Sequence, residues 1–477
     1  MNAFQKRSLY EPKHSLKGSH SPSKHWFKSH IFLSIVALVL GILTLRGVVG
    51  AFQTGNPFSV KQIFFSAVGS SVKMDAYEHT NILLIGVGGE GHDGANLTDT
   101  MIVASLNHAD NLVSMISIPR DLYVENEKVG WGTRLNSIYE YVLDSSGDPD
   151  VAMKELETEI EKILDVDIHY YAKIDFQGFE EVVDALGGIT IEVGETIIDD
   201  AYPAQAGSDY LFDPFYLEAG IQELDGETTL KYVRSRHNSS DFDRAAKQQQ
   251  VLEALKDKAL SMGVLANPGK IKDVYWAISR NFESDMSLAE MVSLVGFAEK
   301  LTGDSVLSAV LNEEANKMGG FLYTPPREEG DPYVLVPYAE SFVELQLFAQ
   351  LFFYHPEIYA DGVAIQILNG TKAESIAGLT KMYLVRYGFN VVDYGNAVNT
   401  KVEDTRIIPL KNGINDEEVN RSMQILPSLT YGEIVEEVPA EYAPDIWPTD
   451  AEIIIELGED FVEFYDDNKE LFYLGVY

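Results

Sequence analysis

The sequence contains no cysteine among its 477 residues. That removes every disulfide framework, thiolate nucleophile and thiolate metal site, and it suits a body outside the cytoplasm that avoids unwanted disulfides. Positive charge is scarce as well: 36 lysines and arginines face 74 aspartates and glutamates, for a formal charge of −38. Seven of those cations, Lys6, Arg7, Lys13, Lys17, Lys24, Lys28 and Arg46, lie in the first 46 residues against the single acid Glu11. The remaining 29 basic and 73 acidic residues give the rest of the chain −44. A body this acidic argues against nucleic-acid binding over a broad surface. Also missing are a GK[ST] phosphate loop, a dinucleotide fingerprint with a helix behind it, and any tandem repeat. What is present, 45% hydrophobic residues in a chain of this length, suffices for two or three full-sized cores.

The basic leader precedes an uncharged, mostly aliphatic run at residues 29–45, which Val48, Val49 and Phe52 extend past Arg46. Roughly 20 apolar residues span a bilayer, and an arginine near the end can snorkel to the interface. A long polar lead and the lack of an A-x-A cleavage site favour an uncleaved anchor over a signal peptide. The expected order is a basic cytoplasmic tail at 1–30, a transmembrane anchor at 31–52 and a stalk at 53–78, with the amino terminus inside and the body outside the cell membrane.

Short apolar runs at 81–87, 100–106 and 111–118 read as strands separated by Gly- and Asn/Asp-rich turns. GGEGHDGANLTD, residues 88–99, lies between the first two, with glycines that let backbone approach a ligand and with Glu90, His92, Asp93 and Asp99. A mobile hairpin turn is the plain alternative. The third strand stops at Pro119 and leaves Arg120 at its carboxyl edge, where α/β proteins commonly place ligand groups. Helices are expected at 134–143, 151–164, 176–186 (stopped by Gly187 and Gly188) and 224–233, and strands at 168–174 and 189–193, while 194–215 reads as loop. Residues 263–353 read as chiefly helical, with a strand at 306–311. This order implies a mixed central sheet flanked by helices. A smaller α/β domain follows: strands at 363–368, 389–394, 405–408, 433–438 and 452–457, and helices at 373–387 and 416–426.

Within this acidic chain, residues 230–251, LKYVRSRHNSSDFDRAAKQQQV, gather Lys231, Arg234, Arg236, His237, Arg244 and Lys247. Two apart, Arg234 and Arg236 share one side in extended backbone. Asp241 can cap a helix that sets Arg244 and Gln248 on one stripe. Arginine forks match phosphate oxygens in pairs, so the set points to a phosphate or pyrophosphate site. A solvated ion-pair network with the many acids is the competing reading.

NILLIGV, LTDTMIVASL, VSMISIPRDLYV, RLNSIYEYV, FEEVVDALGGITIEV and ELDGETTLKYVRSRHNSSDFDRAAKQQQV, in that order and spacing, resemble the LytR–CpsA–Psr (LCP) family. The resemblance places its catalytic domain at 79–353. VAIQILNGTKAESIAGL and a final strand followed by LGEDF resemble the LytR carboxy-terminal domain, here at 361–461. The resemblance implies a Mg²⁺-dependent phosphotransferase outside the membrane. It would move a glycopolymer from a polyprenyl-pyrophosphate carrier to a peptidoglycan or other wall acceptor. By matching motif, Asp99 resembles the acidic metal ligand, and Arg120, Arg234 and Arg236 the arginines on pyrophosphate. Asp241, Arg244 and Gln248 match D-x-x-R-x-x-x-Q, with Asp241 among the catalytic groups and Arg244 and Gln248 toward substrate. Arg134 and Asn136 of RLNSIYEYV match further substrate-binding positions. One departure stands out: Gly88-Gly89-Glu90 occupies the place of the family's aspartate and following arginine. Glu90 or Asp93 could substitute as metal ligands, because Mg²⁺ accepts carboxylate oxygens. The lost aspartate leaves a non-catalytic, polyprenyl-phosphate-binding envelope protein as the alternative, and a hydrolase would use the same groups.

Overall fold

The computed structural model describes residues 72–92, 94–202, 212–235, 281–287, 305–328, 330–339, 341–410, 417–443 and 445–472, with scattered positions between 247 and 301. The expected anchor at 31–52 lies outside these residues, as do Asp93, Arg236, Asp241, Arg244 and Gln248. No helix among the described residues is long and apolar enough to cross a membrane. The described chain divides into two compact units, one ending at Pro356 and the other beginning at Glu357.

The first unit is built on strands β1 (His79–Val87), β2 (Thr98–Asn107) and β3 (Leu112–Ile118). A ribbon follows, β4 (Tyr123–Asn126) with β5 (Trp131–Arg134), and then helices α1 (Ile138–Ser146) and α2 (Pro149–Leu164). Strand β6 (Tyr170–Asp175) leads into α3 (Phe176–Ala185), and β7 (Ile189–Val193), β8 (Ile197–Asp199), β9 (Phe215–Leu217) and β10 (Gly220–Leu224) form two small antiparallel ribbons. Helix α4 (Gly226–Arg234) comes next, and β11 (Phe282–Ser284), β12 (Val306–Val310), β13 (Leu322–Tyr323), β14 (Val336–Pro337) and α5 (Val343–Tyr354) complete the unit.

Six strands form one mixed sheet in the order β11-β6-β1-β2-β3-β12. β1 runs parallel to β6 and antiparallel to β2, and β12 runs parallel to β3. Ile82, Leu83, Leu84 and Ile85 of β1 are all buried. A central strand covered on both faces reads as a continuous apolar run, which is why NILLIGV does not alternate. Ile82 and Leu84 join the cluster that includes Val182, Val183, Leu230 and Val233 of α3 and α4. Helix α5, with Phe348, Phe352 and Phe353 buried, packs against β2, β3 and α2. Local caps agree with the sequence: Asp148, Asp175 and Asp225 accept N–H groups at the starts of α2, α3 and α4.

The second unit holds a five-stranded sheet, order β16-β15-β19-β17-β18. Its elements are helix α6 (Glu357–Asp361), strand β15 (Ile365–Asn369), helix α7 (Ile376–Arg386), strands β16 (Val391–Asn396) and β17 (Arg406–Pro409), helix α8 (Glu417–Thr430), strands β18 (Glu433–Ile434) and β19 (Ile453–Leu457), and helix α9 (Glu459–Asp467). Gly388, at φ +88°, ends α7 in the left-handed conformation that favours glycine.

Several expectations need correction. The helix expected from residue 134 begins at Ile138, because residues 131–134 are a strand and Leu135–Ser137 a 3-10 turn. Tyrosine and β-branched residues of the β4–β5 ribbon outweighed the helical period there. The region read as loop, 194–215, contains β8 and the start of β9. Residue 224 ends a strand, and Asp225 caps the helix one step later. Within 263–353 the described residues include strands β11 to β14 and helix α5, with further helical positions at 290, 293, 294 and 297, while most of 263–304 lies outside the described residues. Helix α9 has no counterpart among the expected elements. Arg234 is the last residue of α4, not part of an extended pair; the chain turns extended at Ser235.

Candidate functional site

One edge of the six-stranded sheet collects the residues of interest. Val87, the last residue of β1, pairs with Thr98 of β2 and with Asp175 of β6. Met101 of β2 pairs with Ile118, after which Pro119 ends β3 and Arg120 follows. The register between β1 and β2 slips here: Gly86 faces Thr100 and Val87 faces Thr98, so Asp99 is the extra residue of a β-bulge. A bulge leaves one residue unpaired and re-aims its side chain. That is how Asp99, within a strand of buried residues, keeps a partly exposed carboxylate.

Asp99 and Arg120 meet directly, with Arg120 Nη1 donating to Asp99 Oδ1 at 2.9 Å. Arg120 Nε reaches Asp121 Oδ2 at 3.3 Å, and Arg134 Nη1 reaches Asp121 Oδ1 at 3.3 Å. Asp121 is buried, so these arginines neutralise a carboxylate that would otherwise be costly. Burial opposes the Arg120 charge, yet the Asp99 and Asp121 carboxylates outweigh it and raise its pKa above the ordinary arginine value. The result is an alternating chain, Asp99, Arg120, Asp121, Arg134. Asn136 ties it to the strand edge through its backbone: its N–H donates to the Arg120 carbonyl at 3.1 Å, and its carbonyl accepts from the Thr98 hydroxyl at 3.3 Å. The Asn136 side chain is 2% exposed, and its Oδ1 has no hydrogen-bond partner among the described residues. A buried amide oxygen left unpaired is unusual enough to need a reason.

The glycine loop closes over the start of α3. Gly89 has φ +82°, and a Cβ there would stand 2.8 Å from the Asp175 Cβ. Asp175 Oδ1 accepts the Gly178 N–H at 2.7 Å; burial raises its carboxyl pKa, against the lowering effect of that bond. His92 in the loop meets Phe176 edge-on, with ring centroids 5.2 Å apart. On Phe176 also rests Arg234, its guanidinium 4.5 Å from the ring centroid and 5.6 Å from that of Tyr202. Burial raises the Tyr202 pKa and the Arg234 charge lowers it in part. No carboxylate among the described residues pairs with Arg234. Its neighbours differ: Lys231 is bound by Asp213 and Glu227 at 2.8 and 2.9 Å, and Lys247 donates to Ser235 Oγ at 2.9 Å. For Lys231 the ion-pair reading of the basic stretch is therefore right, whereas Arg234 lies against Phe176 and Tyr202, and its charge lowers the Glu180 carboxyl pKa against the larger raising effect of burial.

Of the residues singled out in the sequence, Asp99, Arg120, Arg134 and Asn136 come together, and Arg234 joins the loop through Phe176. Glu90 lies exposed in the loop. Reasoning from sequence missed Asp175, Phe176 and Tyr202; the D-F-x-G turn from strand into helix was a signal for the first two, and Tyr202 had none. Among the described residues, no three acidic or imidazole groups converge as a metal site. Asp99 alone gives a half-exposed carboxylate beside arginines. That fits an ion such as Mg²⁺ which takes one or two carboxylates and completes its shell with water and phosphate oxygens, and it does not fit an all-protein cage.

The sequence signature of the LytR_cpsA_psr family matches residues 55–330, and that of the LytR cell envelope-related transcriptional attenuator matches residues 362–461. A protein of Enterococcus faecalis named polyisoprenyl-teichoic acid–peptidoglycan teichoic acid transferase TagU is 29% identical over 226 residues, covering 46% of this chain and 66% of that protein. Its namesake in Oceanobacillus iheyensis is 31% identical over 219 residues, covering 45% and 61%. The match thus spans slightly under two thirds of these relatives' length. Among solved structures, Bacillus subtilis TagV aligns over 58% of this chain and 98% of its own, at 25% identity and a TM-score of 0.44.

Proposed function

We propose, from the premise that this chain belongs to the LytR–CpsA–Psr family, that it is a phosphotransferase of the cell envelope. It moves a glycopolymer from a polyprenyl-pyrophosphate carrier to a hydroxyl of peptidoglycan or another wall acceptor. The observation that carries this reading is Arg234: stacked over Phe176 and Tyr202, beside the glycine loop, and unpaired with any described carboxylate in a chain rich in acids. Such a fork is oriented before a phosphate arrives, so little freedom is lost on binding.

Arg234 and Arg120 hold the pyrophosphate, and Arg120 exchanges Asp99 for phosphate oxygens while Asp121 and Arg134 keep its backbone turn in place. The acceptor oxygen bonds to the glycan-side phosphorus. The bond from that phosphorus to the bridging oxygen breaks, and its electron pair leaves with the polyprenyl phosphate. The hydroxyl proton passes to a carboxylate that does not hold the metal or to solvent. A bound Mg²⁺, held by Asp99 and phosphate oxygens with Glu90 or Asp93 as further candidates, would neutralise charge on the non-bridging oxygens. Arg236, Asp241, Arg244 and Gln248 are assigned to the same phosphate and substrate contacts by their motif alone.

The reading includes a single membrane pass before the stalk, with the amino terminus inside and the body outside. The basic leader and acidic body support it. A reporter fused after Tyr477 should then behave as extracytoplasmic. For the chemistry, the full chain is incubated with a polyprenyl-pyrophosphate glycan, Mg²⁺ and wall fragments, and phosphate-linked product is followed. A second reading, a non-catalytic binder of polyprenyl phosphate, draws on Gly88-Gly89-Glu90 and on the engagement of Asp99 by Arg120. Tight lipid binding without transfer to wall or water would select it.

A further inference from the structure

The second unit holds a cavity of about 420 Å³, lined by Leu410, Tyr442, Trp447 and residues 448–451. Its aromatic wall is fixed from behind. The Tyr442 hydroxyl donates to Glu456, a fully buried carboxylate that also accepts from Arg406 Nε at 2.6 Å. The Trp447 indole N–H donates to Gln366 Oε1 at 3.0 Å, and Gln366 in turn donates to Asp393 at 2.7 Å. The two rings stand at 89° with centroids 5.4 Å apart. With its polar edge engaged, partly exposed Trp447 offers ring surface in a fixed pose. Beside it lies Asp450, whose exposed carboxylate has no partner among the described residues.

The charge of the unit narrows the occupant. Residues 357–477 carry 8 lysines and arginines against 23 acids, a formal charge of −15. A polyanion, whether a lipid pyrophosphate or a phosphate-rich polymer, would meet repulsion there. An uncharged sugar chain would not: its apolar ring face stacks on an aromatic ring, and its hydroxyl and amide N–H groups donate to carboxylates. We infer that the Trp447 cavity is a binding site for a neutral, β-1,4-linked amino-sugar chain, the kind of glycan that serves as wall acceptor. The acceptor assignment rests on the proposed transfer function, whereas the sugar binding does not.

The test uses the full chain in lipid nanodiscs and isothermal titration with chitotetraose, maltotetraose and polyphosphate, without donor lipid. Chitotetraose should bind, at least fivefold more tightly than maltotetraose, and polyphosphate should not. Trp447→Ala should weaken chitotetraose binding roughly tenfold, the loss of one stacking surface, while Trp447→Phe keeps most of it. Arg120→Ala, which disturbs the transfer edge, should leave the sugar affinity unchanged, so failure of transfer and failure of sugar binding are told apart. Absence of chitotetraose binding, tighter binding of maltotetraose or polyphosphate, or unchanged binding in a folded Trp447→Ala protein would each overturn the inference. An unaltered melting temperature in Trp447→Phe guards against reading misfolding as lost contact.

Discussion

The two ends of the same six-stranded sheet carry opposite kinds of polar cluster. At one end Asp99, Arg120, Asp121 and Arg134 alternate in charge, and Arg234 lies over aromatic rings with no ion pair among the described residues. At the other end, where β1 starts, three histidines are hydrogen-bonded within the fold, and burial favours the neutral form of His79 and His169. His79 Nδ1 meets Ser105 Oγ at 2.9 Å, His108 Nε2 meets Thr80 Oγ1 at 2.9 Å, and His169 Nδ1 accepts the Asn81 N–H at 2.9 Å. Burial lowers the pKa of His79 to about 4, against the raising effect of Asp75, and burial lowers that of His169 as well. A charged, half-open cluster can trade an internal carboxylate for a ligand's phosphate, because the exchange conserves charge pairing. A neutral, closed cluster has nothing to trade, and its hydrogen bonds serve the fold.

The largest expected effect follows from that contrast. Arg120→Ala and Arg234→Ala should each lower transfer roughly 10²–10³-fold, the usual scale for losing a group aimed at developing charge. Polyprenyl-phosphate affinity should weaken by about 1.5–3 kcal/mol per arginine. Arg234→Lys should also be impaired, since an ammonium cannot reproduce the stacked fork. Steady-state transfer assays and lipid binding measure both quantities. If both alanine variants keep wild-type affinity, the charged edge is as structural as the neutral one.

Much of this edge was legible in the sequence because its parts sit at strand ends, where Pro119 and the glycine loop mark a break in pattern. Asp99 and Arg120 could be named, but their ion pair could not. It depends on a one-residue slip between β1 and β2, which the alternation of Thr98 and Thr100 does not betray. The support under Arg234 was hidden for a different reason: Phe176 and Tyr202 are 58 and 32 positions away and converge only through packing of α3 and α4. Arg134 falls at the start of an expected helix, and the β4–β5 ribbon instead carries it to Asp121. In the second unit the strand runs and Gly388 were plain, whereas LGEDF gave no helical period long enough to announce α9.

The neutral end should show itself through acid. His79 has an unfolded value near 6.5 and a folded value of about 4, so between those values the unfolded chain binds the extra proton. Its contribution is intact above pH 6.5 and is lost as pH falls, reaching about 3 kcal/mol near pH 4. Denaturant unfolding of wild type and His79→Gln from pH 7 to 4 isolates this from the titration of the many acids. The variant should lose part of the pH slope. An identical slope in both proteins would mean that the His79 imidazole titrates alike in the folded and unfolded chain, so that burial does not hold it neutral.

A smaller effect is expected where the loop meets the sheet. Gly89→Ala introduces a Cβ at φ +82° and 2.8 Å from the Asp175 Cβ. The left-handed backbone alone costs about 1–2 kcal/mol. The loop should lift from Phe176, lowering lipid affinity by a similar amount and leaving the histidine end unchanged. Gly91→Ala, at φ +90° with nothing within 4 Å, supplies the control: it carries the same backbone cost without the collision. Equal losses in the two variants would show that contact with Asp175 is irrelevant to the site.

The smallest effect should come from Lys231, which shares helix α4 with Arg234 but differs in its bonds. Its ammonium is held by Asp213 at 2.8 Å and by Glu227 at 2.9 Å. Burial works against its charge, and these two acids outweigh it, raising its pKa to about 12. Both acids are more than half exposed, so solvent and salt screen the pairs, and exposed pairs are worth about 0–1 kcal/mol. Lys231→Met should therefore change stability by under ~1 kcal/mol, with the difference shrinking in salt. Lipid-phosphate affinity should move less than twofold, because the cation is already neutralised by its own acids and offers no free donor to a ligand. Titrating the same lipid against Lys231→Met and Arg234→Ala compares two cations one helical turn apart. Similar losses in both would mean that the summed positive charge of α4 draws the phosphate, and that the ring-stacked fork of Arg234 has no special part in holding it.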